Sequence, residues 1–68
     1  MDKLEHNLNR MSAKGCEKAA SKISQNLSNE SINKMLNGTN DMIEKYPEYS
    51  KALAKLATIL SLALKKQN

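Results

Sequence analysis

Few side chains in this sequence have the chemistry of a catalyst or a ligand, and their spacing decides how far they can be taken. Cys16 is the only cysteine and His6 the only histidine. A reactive thiolate needs cationic neighbours, and Lys14 and Lys18 lie close to Cys16. The apolar phase of the surrounding residues nevertheless points Cys16 inward, as a buried and inert thiol. His6 has Asp2 one helical turn before it, and two such residues fall short of the set a zinc ion takes. Asp41, Glu44 and Glu48 lie near one another, yet no basic or nucleophilic group stands at a spacing that would complete a site. There is no phosphate loop, no zinc spacing and no nucleophile elbow. The sequence therefore predicts a protein that is not an enzyme, with no catalytic residue, cofactor or metal.

The charges carry more pattern than the nucleophiles do. The formal net charge is +4 over 68 residues. Arg10, Lys14, Lys18 and Lys22 recur at every fourth position, which lays a basic ridge along one side of a helix. Like charges at that spacing cost a few tenths of a kcal/mol each. Such a ridge suits an anionic partner such as nucleic acid, or simply a solvated face. Residues 49–68 carry Lys51, Lys55, Lys65 and Lys66 and no acid, whereas residues 29–48 are net acidic through Glu30, Asp41, Glu44 and Glu48 against Lys34 and Lys45.

The elements that must position these residues are helices. Gly and Pro are scarce, and apolar residues recur three or four apart, so the expected fold is all-α: a small compact bundle of three to five helices in one domain, residues 1–68. From Lys3 to Leu27 the apolar stripe changes phase, from Leu4, Leu8 and Met11 to Cys16, Ala20, Ile23 and Leu27. Gly15 sits at the changeover, so the segment reads as one bent helix or as two with a break there. Ser28 or Asn29 caps the next helix, with Ile32, Met35 and Leu36 inward. Asn37 and Gly38 are expected to stop it. Thr39 or Asn40 would then cap a third short segment with Met42, Ile43 and Tyr46 inward, closed by Pro47. Pro47 and Glu48 also suit the start of a last helix whose other end carries Lys65 and Lys66, each charge matching the helix dipole.

That long amphipathic C-terminal helix is the most apolar part of the chain: ten of the thirteen residues from Ala52 to Leu64 are apolar, so something must cover it. The run is too short to span a bilayer, and no secretion signal is visible, which together with the single cysteine suggests a reducing cytoplasm. Tyr49, Leu53, Leu56, Ala57, Leu60, Ala63 and Leu64 form the stripe assigned to the core. Ile59 widens it, and Leu62 falls on the opposite side among lysines. Lys51, Lys55, Ile59, Leu62 and Lys66 are accordingly the residues expected to meet a partner, either another protein or a second copy in a homodimer.

The stretch PEYSKALAKLATIL, Pro47 to Leu60, resembles the tail of the repressor-type helix-turn-helix family, where a Pro precedes a helix containing a Leu-Ala pair. The resemblance covers fourteen residues and stops there. Gly38 is too close to Pro47 for a full recognition helix, and TNDMIEKY is acidic where a helix facing phosphate is basic. Two functions remain. The first is a non-catalytic helical interaction protein of the inhibitor, adaptor, antirepressor or co-chaperone type, docking through the outer face of the last helix. The second is a small basic nucleic-acid-binding regulator using Arg10, Lys14, Lys18 and Lys22.

Overall fold

Two serines set where the second and third helices begin. Ser12 and Ser28 both hold an extended backbone, and each accepts a hydrogen bond on its side-chain oxygen, from the Gly15 N–H at 3.1 Å and from the Ser31 N–H at 3.2 Å. Each bond satisfies one of the amides that a helix leaves unpaired in its first turn. The structure, a computed structural model, describes residues 2–67, without the side chains of Asp2, Leu4, Glu5 and Gln67. Helix α1 spans Asp2–Arg10, α2 Ala13–Asn26, α3 Asn29–Lys45 and α4 Ser50–Gln67, with a 3-10 turn at Pro47–Tyr49 leading into α4. Among the described residues there is no strand, and the all-α expectation with a long last helix holds.

The first segment is two helices, and their break lies at Met11–Ser12, three residues before the glycine at which the sequence placed it. The Ser12 cap makes the break. Gly15 is the third residue of α2, and a Cβ built there would stand 2.9 Å from Met11 Cγ. The bare glycine thus leaves room for Met11 to fold over the start of α2. Of the early stripe, Leu8 is buried and Met11 packs against the core, while the side chain of Leu4 lies outside the described residues.

Asn37 and Gly38 do not stop the third helix. Helix α3 runs through both, neither glycine has a positive φ, and the separate segment expected from Thr39 onward is its second half. Its more enclosed face continues across the glycine as Ile32, Leu36, Thr39 and Ile43, buried or half-buried and spaced four, three and four apart, which is a helical repeat. Thr39 is buried at 6% exposure and donates its hydroxyl to the Met35 carbonyl at 2.8 Å, so its polar atom is satisfied within the helix. The helix ends where the Tyr46 N–H bonds the Met42 carbonyl at 2.8 Å and Pro47 follows without an N–H to continue the ladder.

Met35, Met42 and Tyr46, expected inside, are instead 44%, 38% and 46% exposed. Each methionine sits one residue, about 100° of helix, before a half-buried position, Leu36 or Ile43. The core lies between α4 and the other helices. Ala20, Ile32, Ala52, Leu60 and Ala63 are fully enclosed, with Leu8, Cys16 and Ile59 beside them in one cluster.

The two glycines differ in what a side chain would meet. Nothing lies within 4 Å of a Cβ built on Gly38. Gly38→Ala therefore raises stability by about 0.5–1 kcal/mol, the ordinary helix preference for Ala over Gly. Gly15→Ala gains less or nothing, because Met11 must move. Urea unfolding followed by circular dichroism compares the two, and equal gains at both positions would contradict the packing at Met11.

Candidate functional site

Helix α4 is buried over a wide arc and leaves a narrow outer strip. Lys51, Ala54, Thr58 and Ser61 are exposed along it, and Lys55 and Leu62 are half-buried at its edge. The start of α2 runs alongside this edge, and the space between them is a groove. Its larger part, about 490 Å³, is lined by Met11, Ala13, Lys14, Cys16 and Glu17 on one side and Lys55, Thr58 and Leu62 on the other. An adjoining part of about 250 Å³ extends past Cys16, Lys55 and Thr58 to Asn9, Lys51 and Ala54. The three shared residues make the two parts one groove along α4.

Its chemistry is an apolar floor with a basic rim. The Met11, Ala13, Ala54 and Leu62 side chains offer hydrocarbon and a thioether, and Cys16, a free thiol at 6% exposure, lies at the bottom. Thr58 donates its hydroxyl to the Ala54 carbonyl at 3.0 Å, within its own helix. Lys14, Lys51 and Lys55 supply three positive charges against one acid, Glu17. The Lys55 ammonium lies 3.5 Å from the Asn9 carbonyl oxygen, near the C-terminal end of α1 where helix carbonyls lack partners and a cation is favoured. Lys55 therefore helps to hold α1 against α4 while forming part of the groove.

The structure brings together residues that the sequence had divided between two hypotheses. Lys51, Lys55 and Leu62, read as protein-binding, share the groove with Lys14, read as part of a nucleic-acid ridge. Lys66 is exposed further along α4 and does not line it. Ile59 is a correction: at 2% exposure it belongs to the core and has no surface to offer a partner. Several helices pack onto α4, so the widened side of its stripe, Ala52 and Ile59, is fully part of the buried arc and not a second contact surface. The ridge is also interrupted. Lys14, Lys18 and Lys22 are exposed along α2, but Arg10 belongs to α1, beyond the Ser12 break, with its guanidinium 3.4 Å from His6 Nε2.

Met11, Ala13, Cys16 and Thr58 line the groove without having been singled out for it. The available signal was small residues, Ala54, Thr58 and Ser61, recurring among the lysines of the outer strip. Among the described residues, no three His, Cys, Asp or Glu side chains come together as a metal site would require, and no helix is long and apolar enough to cross a membrane. Compared with known proteins, the chain matches no family model, no curated protein and no solved structure, so the functional reading rests on geometry.

The placement of α4 residues has a direct consequence for stability. Ile59→Ala leaves a hole in the core and costs about 2–5 kcal/mol, while Thr58→Ala, on the exposed strip, stays within about 0.5 kcal/mol. Urea unfolding of both variants checks this, and a neutral Ile59→Ala would return Ile59 to the surface.

Proposed function

We propose that this protein is a small non-catalytic helical interaction module, of the inhibitor, adaptor, antirepressor or co-chaperone type, that binds a partner protein stoichiometrically in the groove between α2 and α4. The observation that carries the reading is the groove itself: an apolar floor beside a helix, rimmed by Lys14, Lys51 and Lys55. From Lys51 to Leu62 it follows α4 for roughly 16 Å, about three helical turns. Helix-in-groove recognition needs a trough of this length, because a partner helix presents its anchors at i, i+3, i+4 and i+7. Met11 suits such a wall, since its unbranched side chain adapts to the shape it meets. The lone free thiol suits a reducing cytoplasm as the place of action.

A second reading has one observation in its favour. Lys14, Lys18 and Lys22 stand exposed along α2, a row able to follow a phosphate backbone. Against it, Arg10 is the only arginine in the chain and lies apart from that row, and arginine is the usual reader of base edges.

One set of variants separates the readings. A partner captured after nuclease treatment should bind the Leu62→Ala protein on the order of 5–30-fold more weakly, the loss of a buried anchor worth about 1–2 kcal/mol. The double change Lys14→Gln, Lys51→Gln should mainly slow association, because charges at a rim steer encounter. If nucleic acid were the ligand, lysine removal from the groove rim or the α2 row would weaken binding to all sequences alike and flatten the salt dependence by about one unit per lost contact, with Leu62→Ala silent. That second pattern would replace the protein-binding reading.

A further inference from the structure

Helices α2 and α4 each begin with a lysine where the positive end of a helix favours an acid. Lys14 is the second residue of α2 and Lys51 the second of α4, and neither helix carries an acid in its first turn. The acids three residues away, Glu17 after Lys14 and Glu48 before Lys51, form no ion pair with them. Among the described residues the one ion pair is Lys34–Glu30 on α3, at 3.9 Å. Both lysines are exposed, and both line the groove. With Lys55 they set unpaired positive charge on its two walls, Lys14 on the α2 side and Lys51 and Lys55 on the α4 side. The first turns of both helices lie beside it, so the positive ends of two helix dipoles add to the same field.

Between these walls the floor is apolar, through Met11, Ala13, Ala54 and Leu62. A ligand matched to both features carries an apolar stripe with negative charge along its two edges. An α-helix with apolar residues at i, i+3, i+4 and i+7 and Asp or Glu beside them has that pattern. We propose that the occupant of the groove is an acidic amphipathic helix of a partner protein, an assignment that rests on the docking reading above and adds the chemistry of the partner. Its apolar stripe packs on Met11, Ala13 and Leu62, and its carboxylates face Lys14 along one edge and Lys51 and Lys55 along the other. A basic helix would fill the same floor but meet like charges on both walls, which costs free energy. A nucleic-acid backbone would answer the lysines and leave the floor unused.

Three synthetic helical peptides of about fifteen residues, roughly four turns, serve as the probe. They share one leucine stripe and differ only at the flanking positions, which are all Glu, all Gln or all Lys. In fluorescence anisotropy at low salt the Glu peptide should bind on the order of tenfold more tightly than the Gln peptide, and the Lys peptide more weakly than either, the gaps closing as salt rises. Lys14→Gln with Lys51→Gln should remove most of the gap between the Glu and Gln peptides, mainly through slower association. Both changes are at exposed first-turn positions and take away an unfavourable charge, so the fold is kept. Thr58→Glu, exposed in the groove, should reverse the order of the Glu and Lys peptides, and Leu62→Ala should weaken all three alike. A Gln peptide that binds as well as the Glu peptide, both sensitive to Leu62→Ala, would overturn the acidic partner and leave the docking reading standing. A Glu peptide with its leucines scrambled off the stripe, or a single-stranded oligonucleotide of equal charge, binding as tightly as the striped Glu peptide would overturn it in favour of a general anion surface. No binding by any peptide up to about 1 mM would remove the groove as a helix site, and both readings with it.

Discussion

Burial of α4 is the interaction on which the other helices depend. Among the described residues, every pair of helices in broad contact includes α4, and α1, α2 and α3 meet one another only slightly. With no Phe or Trp in the chain, close approach has to replace large rings, and the alanines Ala20, Ala52 and Ala63 at zero exposure let backbones come near while Leu60, Ile59 and Ile32 fill the space between. The molecule measures 32 × 24 × 15 Å along its principal axes, and the shortest of these leaves room for about two layers of helix. With one layer of neighbours, α4 keeps a strip that nothing covers. The groove forms along that strip where the start of α2 stands beside it.

The polar groups are arranged so that this packing is not opposed. Among the described residues no buried side-chain nitrogen or oxygen lacks a hydrogen-bond partner. Ser12 and Ser28 settle two helix starts, Thr39 turns its hydroxyl back to its own helix, and Lys55 approaches an open carbonyl of α1. Each of these bonds is worth only about 1 kcal/mol net, but leaving a buried group such as Thr39 unpaired would cost more than making its bond gains. Their role is to fix where helices start and stop, so that the apolar faces meet in one register.

Much of this was legible in the sequence, for local reasons. The Ser28 cap, the Pro47 boundary and the lysines ending α4 are signals read within one turn of helix. Gly38 was misread because an Asn-Gly pair looks the same whether it ends a helix or lies inside one. What decides is the packed face, which resumes at Thr39, a polar residue whose burial depends on a hydroxyl bond that no pattern of apolar residues reveals. Ile59, at the edge of the stripe, reads from the sequence as partner-facing as well, because a stripe assumes one packing direction and α4 has several. The groove was illegible for a deeper reason: Cys16 and Thr58 lie forty-two residues apart and become neighbours only when α2 docks on α4. The lysine positions around it could be named, but not their meeting with Lys14.

That the shared helix follows all three of its neighbours has a consequence for how the molecule is made. Helices α1 to α3 leave the ribosome before the surface they all pack on, and contacts such as Lys55 with Asn9 join positions 46 residues apart. At ordinary rates of synthesis, α4 takes on the order of seconds to follow. Through that interval Leu8, Ala20 and Ile32 have no α4 to cover them, and short helices without tertiary support are only marginally populated in water. Packing of all three is therefore deferred until the eighteen-residue α4 supplies the missing wall for them together.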